Sequence, residues 1–329
     1  MQGTMQGTET AVAGTAVSCA GLTKHYGREV GIEDLDLEVR SGEVFGFLGP
    51  NGAGKTTTIR LLLGLIRPTR GRATVLGEDL LTSGAAVRAR LGYVPGDLAL
   101  YARMTGEHLL AYLGDLRGGV PRAAWTALAE RLQVDLGRRV AELSRGNRQK
   151  LGVVQAFMHD PELLVLDEPT SGLDPLVQQE FQRLVRERVL DGATVFLSSH
   201  VLAEVEQMAD RVGIVAGGRL LVVDTVDGLR VRARRRVELD FAGAVPPGLA
   251  AVPGVQQVQV RGLTATCWVS GPLTALLELA VRHHVVDLHT HDPDLEDAFL
   301  GYVEAPVAHG AGVPAPRGGR HRARSTTSG

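Results

Sequence analysis

The stretch that decides the fold is Gly49-Pro50-Asn51-Gly52-Ala53-Gly54-Lys55-Thr56-Thr57. It fits the pattern G-x-x-x-x-G-K-[ST], which is typical of a loop that binds phosphate groups. Its glycines allow the backbone to curl so that successive N–H groups point inward at phosphate oxygens. Lys55 supplies a positive charge for the terminal phosphates, and the Thr56 hydroxyl is within reach of a Mg²⁺ ion. The sequence therefore predicts that this loop binds a nucleotide.

Both flanks of the loop support that interpretation. The apolar run Val44–Leu48 before it predicts a buried strand, and residues 57–66 after it predict a helix. The positive end of that helix would face the bound phosphates. A strand, a glycine-rich loop and a helix in this order are typical of a nucleotide-binding α/β fold.

The composition argues against several classes of protein. Of the 329 residues 44% are hydrophobic, and the formal net charge is −2, so neither disorder throughout nor bulk binding to nucleic acid is indicated. The length favours two domains. Cys19 and Cys267 have no metal-binding or redox spacing, which fits a reduced, cytosolic setting. No apolar run reaches the roughly 20 residues that span a bilayer. A membrane process would therefore require a membrane partner.

The chain before the loop predicts a leader and two strands. Residues 1–15 repeat MQGT and predict a flexible leader, whereas residues 16–26 alternate as an edge strand and residues 31–39 as a second strand. Tyr26 ends the first strand. Two interpretations of it stay open: a ring that stacks on a nucleotide base, or a half-buried tyrosine at a strand end.

The run Leu163-Leu164-Val165-Leu166-Asp167-Glu168 is the second strong signal. Its aliphatic residues predict a strand buried on both faces, with two carboxylates at the carboxyl end. Ligands of an open α/β sheet bind at that end. Asp167 is placed to hold Mg²⁺ through water, and Glu168 is a candidate base for the attacking water.

Between these two signals the pattern changes to helices. Residues 97–160 predict a helical insertion between strands of the nucleotide-binding sheet. Within it, Ser144 is placed to cap a helix, and Gly146 leaves the backbone open to an anion at the amino end of that helix. Most helix starts bind nothing, so these two positions alone do not indicate a ligand.

Asp174 and His200 follow the acidic pair. Asp174 precedes Pro175, which is typical of a helix start. His200 follows the buried strand of residues 193–197. Most single histidines have no catalytic role, but this placement makes His200 a candidate for contacting the terminal phosphate.

Together these motifs resemble the ATP-binding subunit of an ABC transporter over residues 16–223. GPNGAGKTT corresponds to the Walker A loop, LLVLDEP to the Walker B strand with its catalytic glutamate, and LSRGN stands where the signature motif belongs. SGLD resembles the D-loop, His200 the switch histidine and Tyr26 the adenine-stacking aromatic. The resemblance implies that further residues bind ATP or act in catalysis: Lys55, Ser144, Gly146, Glu168 and Asp174.

The resemblance also implies partners. In that family two nucleotide-binding domains face each other head to tail, and each ATP lies between the Walker A loop of one subunit and the signature motif of the other. This chain has one copy of each motif, so a homodimer or a pairing with a second ATPase subunit is implied. ATP and Mg²⁺ are the implied cofactors. A separate integral-membrane permease would hold the subunit at the cytoplasmic face of the membrane.

Two positions depart from the family pattern. Where the family has a glutamine that helps to hold Mg²⁺, this chain has Gly96, which offers no side chain for coordination. Either Asp97 takes its place or Mg²⁺ binds an additional water, and we expect slowed but not abolished turnover. The signature motif carries Arg145 and Asn147 in place of glycine and glutamine.

Beyond residue 227 the sequence predicts a second, smaller unit. Residues 228–304 predict strands and helices that together form an α+β accessory domain, with its final helix at 295–303. Residues 305–329 predict a disordered basic tail. Residues 293–299, PDLEDAF, resemble the accessory region of drug- and antibiotic-export ATPases, including the daunorubicin-resistance type.

Two features of this unit have open interpretations. The five arginines in residues 230–236 form either a membrane-surface or phosphate patch or a solvated strand or hinge. A group of histidines and aspartates could suggest a metal site, but it has no closed tetrahedral spacing. The group is His283, His284, Asp287, His289, His291 and Asp292.

The predicted fold is therefore α/β. Residues 16–227 form a P-loop NTPase (RecA-like) core sheet with an antiparallel β edge and a helical subdomain, followed by the small α+β domain. We expect an ATP-hydrolysing subunit that energises an ABC exporter of a hydrophobic drug or antibiotic.

Two alternatives remain. One is a soluble ABC-type ATPase acting on DNA or ribosomes, which usually has paired cassettes, coiled-coil insertions or zinc-binding cysteines. This sequence has none of these, so no nucleic-acid partner is expected. The other is a nucleotide switch that hydrolyses slowly or not at all, which the glycine at position 96 suggests.

Overall fold

The computed structural model describes residues 14–232, 235–291 and 299. Its strands β1 to β14 are Thr15–Tyr26, Glu29–Arg40, Val44–Leu48, Arg70–Val75, Glu78–Asp79, Leu91–Val94, Leu163–Asp167, Thr194–Ser199, Arg211–Ala216, Arg219–Thr225, Arg235–Phe241, Val255–Arg261, Thr264–Val269 and Val285–His291. Its helices α1 to α9 are Lys55–Leu62, Leu80–Ala89, Gly106–Leu116, Arg122–Arg131, Arg145–Phe157, Pro175–Leu190, Leu202–Met208, Val226–Arg232 and Thr274–Arg282.

Parts of the predicted termini lie outside these residues. The basic tail is outside them, as is the final helix apart from Phe299. Of the predicted leader, Thr15 belongs to β1, and its hydroxyl donates a 2.8 Å hydrogen bond to Glu38 Oε1 of β2. Within the described ranges, no helix combines the length and the apolar character needed to cross a membrane.

A six-stranded sheet forms the centre of the fold, in the order β10-β9-β3-β8-β7-β6. Its strands pair in parallel except β10, which runs antiparallel to β9 at one edge. Every residue of β3 and β7 is buried, because alternate side chains pack into two different apolar cores. Val44 and Leu48 enter one core, whereas Phe45 and Phe47 enter the other. The parallel arrangement brings the carboxyl ends of β3, β7 and β8 to one edge of the sheet.

The N-terminal antiparallel strands form a sheet of their own, in the order β2-β1-β4-β5. The α/β fold class is confirmed, but these strands do not continue the edge of the central sheet. The prediction that residues 16–26 form an edge strand is wrong, because β1 pairs with β2 on one side and with β4 on the other. Alternating apolar residues indicate that one face of a strand is buried and carry no information about its number of neighbours.

The segment between β6 and β7 contains α3, α4 and α5. Apolar side chains of these helices, including Leu109 and Trp125, pack into the core that also receives Leu164 of β7. Helix α5 lies directly on β6, since a Cβ atom added at Gly92 would come within 2.2 Å of the Ala156 carbonyl oxygen. This close approach, which needs a glycine, holds the helical segment against the central sheet.

A partly buried histidine, His159, follows α5 at this junction. The Nε2 atom of His159 lies 2.9 Å from the Leu91 carbonyl oxygen, so the neutral ring donates its proton there. Burial, with a smaller contribution from Arg117, lowers the pKa of His159 from 6.5 to about 4.

We expect the free energy of unfolding to decrease as the pH falls from 6.5 towards about 4. In that window the unfolded chain binds a proton at His159 that the folded chain resists. The His159→Gln variant, whose amide can still donate to Leu91, should lose this part of the pH dependence. Urea denaturation at about pH 7 and about pH 5 measures the difference. The exposed-site control His108→Gln should keep the wild-type loss, and equal losses in all three proteins would contradict the assignment.

The C-terminal unit is a four-stranded antiparallel sheet, β12-β13-β11-β14, with helix α9 packed on it. A solvated strand was one interpretation of the arginine run, and the last two residues of that run, Arg235 and Arg236, do begin β11. The sequence interpretation missed the continuation of this strand through residues 237–241. The alternation of Val237, Leu239 and Phe241, all buried, was the available signal.

Candidate functional site

The phosphate loop joins β3 to α1 and turns at positions that require glycine. Gly54, which precedes α1, has a φ of 105°, and a Cβ atom there would lie 2.6 Å from the Gly31 carbonyl oxygen. Gly52 has a φ of 80°. Both values lie in the left-handed region, which residues with side chains rarely adopt. The loop therefore leads tightly into the amino end of α1, where free N–H groups and the helix dipole favour an anion.

Lys55 is the first residue of α1, and its side chain folds back over the loop. Its Nζ donates hydrogen bonds to the carbonyl oxygens of Gly49 at 2.6 Å and Pro50 at 3.3 Å, and lies 3.9 Å from Glu168 Oε1. The residue is 6% exposed. Burial lowers the pKa of its ammonium group. A buried cation held by two carbonyl oxygens is placed to exchange them for phosphate oxygens.

Asp167 ends β7 opposite the loop and is only 4% exposed. Its Oδ2 accepts a 3.1 Å hydrogen bond from Thr56 Oγ1, and its Oδ1 accepts one from Ser198 Oγ. The Thr56 hydroxyl can donate this bond while a lone pair of its oxygen binds Mg²⁺. Mg²⁺ usually keeps several of its waters, so the adjacent Asp167 carboxylate is placed to hold one of them, and the two side chains fit the ion.

Gly96 lies beside this pair, and Asp97 follows it on the exposed surface. A Cβ atom at Gly96 would lie 3.4 Å from Asp167 Oδ2, so a side chain at this position would begin next to the carboxylate. Asp97 is exposed and is not among the residues that line the cavity over the loop. Both interpretations of this position, Asp97 or an additional water on Mg²⁺, therefore stay predictions.

Glu168 and His200 meet at the carboxyl end of the central sheet. His200 Nδ1 lies 2.9 Å from Glu168 Oε1. Glu168 has a φ of 49°, which is uncommon for a residue with a side chain. Its backbone N–H donates a 3.0 Å hydrogen bond to the Ser198 carbonyl oxygen, which holds that conformation. A carboxylate between an imidazole ring and an ammonium group is suited to accept a proton from water.

A cavity of about 300 Å³ lies over the loop. Gly49 and Ala53 of the loop are not in its lining, and Ala53 is buried at 2% exposure. The lining consists of Val30, Gly31, Pro50, Asn51, Gly52, Gly54, Lys55, Thr56, Thr57 and Glu168.

Tyr26 lies at the rim of this cavity. A Cβ atom at Gly31 would lie 2.9 Å from the Tyr26 ring and 3.1 Å from the Thr57 methyl group. Tyr26 is 44% exposed, and the Lys24 ammonium group lies 5.2 Å from the ring centre. An exposed ring beside the phosphate cavity is available to stack on a base without rearrangement of the core.

The predicted signature and D-loop residues lie apart from this cavity. Ser144 caps α5 through a 3.2 Å hydrogen bond, and Asp174 caps α6 through one of 3.1 Å. A Cβ atom at Gly146 would lie 2.7 Å from the Gly172 carbonyl oxygen, so this glycine packs against the D-loop segment. None of the three predicted residues is in the cavity lining. One copy of the chain therefore does not bring both sets of predicted ATP contacts together.

Ser198 is a site residue that the sequence interpretation missed. It is fully buried at 0% exposure, and it lies opposite Asp167 in the parallel pairing of β8 with β7. The available signal was a hydroxyl residue at the carboxyl end of a buried strand. That signal does not reveal which strand lies next to it.

A second group of polar side chains lies in the C-terminal sheet. Ligand atoms of Asp240, Asp287 and His289 lie within 4.8 Å of one another. His289 Nε2 is 3.3 Å from Asp287 Oδ2, and the Thr264 hydroxyl donates a 2.5 Å hydrogen bond to Asp240. These side chains already have hydrogen-bond or ion-pair partners within the protein. The group does not by itself indicate a metal site.

Known proteins are similar to this chain in sequence and in fold. A family model described as ABC transporter matches residues 32–171. The bacitracin transport ATP-binding protein BcrA of Bacillus licheniformis is 38% identical over 231 residues, which are 69% of this chain and 76% of that protein. The chain belongs to the ABC transporter family of ATP-binding proteins. The resemblance carried by the motifs is thus confirmed.

A second sequence relative and a solved structure are also similar to this ABC protein. The daunorubicin resistance ATP-binding protein DrrA3 of Streptomyces coeruleorubidus is 38% identical over 305 residues, which are 88% of this chain and 96% of that protein. A solved ATP-binding subunit of an ABC transporter has a TM-score of 0.61 at 32% identity, covering 66% of this chain and 92% of that chain. The ABC protein therefore has the P-loop NTPase fold of a family whose domains bind nucleotide.

Proposed function

We propose that this ABC protein hydrolyses ATP and thereby energises the export of a hydrophobic drug or antibiotic. The position of Glu168 carries the proposal, because its Oε1 lies 2.9 Å from His200 Nδ1 and 3.9 Å from Lys55 Nζ. This arrangement puts a carboxylate base next to the cation that would hold the terminal phosphates.

The phosphate loop would bind ATP through its backbone N–H groups and through Lys55. The Lys55 ammonium group would exchange the carbonyl oxygens of Gly49 and Pro50 for oxygens of the β- and γ-phosphates. Because Lys55 is nearly enclosed by protein, its charge acts on the phosphates with little screening by water.

Thr56 would hold Mg²⁺ directly and Asp167 would hold it through water, since the Thr56 hydroxyl can bind the ion while it donates its hydrogen bond to Asp167. Bound Mg²⁺ neutralises charge on the β- and γ-phosphates. Gly96 offers no side chain to this site, and the expected consequence is slower but not abolished turnover.

Glu168 would accept a proton from the water that attacks the γ-phosphate. His200 holds one oxygen of this carboxylate by a hydrogen bond. Its side chain is 49% exposed, so it also remains accessible to a bound γ-phosphate.

The Tyr26→Ala variant is expected to bind ATP about 5- to 150-fold more weakly, because stacking of a base on an aromatic ring contributes about 1–3 kcal/mol. Tyr26→Phe keeps the ring and should bind within about twofold of wild type. Equilibrium binding of a fluorescent ATP analogue measures both variants. Loss of affinity in Tyr26→Phe equal to that in Tyr26→Ala would assign the effect to the hydroxyl instead of the ring.

We propose a head-to-tail pair as the active form, either a homodimer or a pairing with a second ATPase subunit. The separation of Ser144, Gly146 and Asp174 from the cavity supports it, because these residues would then complete the ATP site of the partner. Analytical ultracentrifugation with ATP tests this arrangement. A monomer at all ATP concentrations, for a variant that binds but does not hydrolyse ATP, would overturn the homodimer.

A membrane permease is the proposed partner, and it would hold the subunit at the cytoplasmic face of the membrane. The names of the two relatives, one for bacitracin transport and one for daunorubicin resistance, support this cargo class. Copurification of the chain with an integral-membrane protein from its own cells, followed by phosphate release with and without drug, tests the proposal. ATP-driven dimerisation without phosphate release would support the nucleotide switch instead.

A further inference from the structure

We propose that Ser198 is a positioning residue for metal binding, whose hydroxyl fixes the Asp167 carboxylate in the orientation that completes a Mg²⁺ site with Thr56. The inference rests on the proposed Mg²⁺–ATP site and names a residue that sets its metal affinity. No motif of the sequence points to this role.

The geometry of Asp167 supports this role for Ser198. The two carboxylate oxygens have different hydroxyl partners: Oδ1 accepts from Ser198 and Oδ2 accepts from Thr56. Ser198 is 0% exposed and Asp167 is 4% exposed, so water does not compete freely for these positions.

The parallel pairing of β7 and β8 fixes the distance between these two residues. Asp167 lies opposite Ser198 in the register, and all six residues of β8 are buried. The serine side chain is therefore held by a central strand of the sheet rather than by a loop. Its hydroxyl has the position needed to constrain a neighbouring side chain.

The Asp167 carboxylate needs such a constraint because its last torsion angle is soft. Rotation about that bond is broad and roughly two-fold in aspartate. Rotation would move Oδ2 away from Thr56 and break the 3.1 Å hydrogen bond that keeps the two oxygens side by side at the metal site. On the side of Gly96 there is no side chain to oppose this rotation. Ser198 therefore restrains the carboxylate from the opposite oxygen.

Ser198 contacts both acidic residues, but through different atoms. Its hydroxyl binds Asp167, and its backbone carbonyl oxygen accepts the N–H of Glu168 at 3.0 Å. A substitution of the side chain removes the first contact and leaves the second in place. The Ser198→Ala variant thus tests the orientation of Asp167 while the backbone of Glu168 stays held.

The experiment is a Mg²⁺ titration of fluorescent ATP-analogue binding by the full chain. We expect Ser198→Ala to need about 10- to 100-fold more Mg²⁺ for half-maximal binding, as is typical when the partner of a metal-binding carboxylate is removed. Its affinity for the analogue in EDTA should equal that of wild type, because Lys55 and the loop are unchanged.

Two matched variants separate this role from a purely structural one. Ser199→Ala removes the neighbouring hydroxyl, which donates to Glu204 at 3.2 Å, and should keep the wild-type Mg²⁺ requirement. Ser198→Thr keeps the hydroxyl and should also keep that requirement, even where its added methyl group lowers the melting temperature. The Thr variant also tests the role if Ser198→Ala does not fold.

The results decide between the possibilities. A Ser198→Ala variant that is less stable but has the wild-type Mg²⁺ midpoint overturns the inference, and so does a Ser198→Thr variant with a raised midpoint. If wild type itself binds no nucleotide, the proposed function fails and this inference fails with it. Mg²⁺-dependent binding in wild type with an unchanged midpoint in Ser198→Ala leaves the proposed function standing and overturns only the role of Ser198.

Discussion

The Glu168→Gln variant is expected to hydrolyse ATP at least about 100-fold more slowly than wild type, while binding ATP within about threefold. Glutamine has the shape of glutamate and can keep the hydrogen bond to His200, but it cannot accept a proton from water. The Glu168 side chain is 27% exposed. In the variant the buried Lys55 keeps its hydrogen bonds to the Gly49 and Pro50 carbonyl oxygens and the attraction of Asp167, so the fold should persist.

Phosphate release under single-turnover and steady-state conditions measures this effect. The matched control is Glu162→Gln, which makes the same substitution just before the amino end of β7. The Glu162 side chain is 54% exposed and forms a 2.6 Å ion pair with Arg90. Loss of this exposed ion pair should lower the free energy of unfolding by at most about 1 kcal/mol and leave ATP turnover unchanged.

Equal turnover in Glu168→Gln and wild type would overturn the assignment of Glu168 as the base. A variant that binds ATP, forms a stable dimer and releases no phosphate would support both the base and the ATP-driven pairing. Because ATP hydrolysis and dimerisation are measured separately, the role of Glu168 as the base can be contradicted while the ATP-driven dimer stands, and the reverse also holds.

The second large effect is expected for Lys55→Met, which should bind ATP at least about 100-fold more weakly. In a site with little water, a hydrogen bond from an ammonium group to a charged partner contributes about 3 kcal/mol to the binding free energy. The variant loses this contribution because methionine has no charge. The fold should persist, because methionine fills the space of the buried stem and replaces a cation whose pKa burial already lowers.

Isothermal titration calorimetry with a slowly hydrolysed ATP analogue measures the loss of affinity, and urea denaturation confirms folding. Arg60→Ala is the matched control, because it removes a positive charge from the same helix, α1, at an exposed position. Its affinity should stay within about twofold of wild type, since exposed charges are screened by salt. Wild-type affinity in Lys55→Met would show that the phosphates bind elsewhere.

Much of the nucleotide site could be predicted from the sequence because its chemistry is local. The loop needs glycine where φ is positive, as at Gly52 and Gly54, and the lysine and threonine follow it directly in the chain. Asp167 and Glu168 end a strand that is apolar throughout, and the carboxyl end of such a strand borders the ligand site. Each of these signals depends on neighbours within a few residues.

Other features could not be predicted because they depend on which strands become neighbours. The prediction of β1 as an edge strand was wrong, since its second partner, β4, lies on the far side of the phosphate loop in the chain. The role of Ser198 was missed for the same reason, because the pairing of β7 with β8 joins residues separated by α6. The full extent of β11 was missed because the charged residues at its start drew attention away from the alternating apolar residues that follow them.

The sequence by itself determined the phosphate loop, the acidic pair, the α/β class and the family, because backbone conformation and strand burial follow from the order of residues within one element. Only the tertiary structure decided that the Asp167 carboxylate lies between Thr56 and Ser198, that Asp97 is outside the cavity, and that Ser144 and Gly146 lie apart from it. These facts depend on pairing and packing between distant segments. Such contacts form when the whole sheet buries its two faces, and no single segment encodes them.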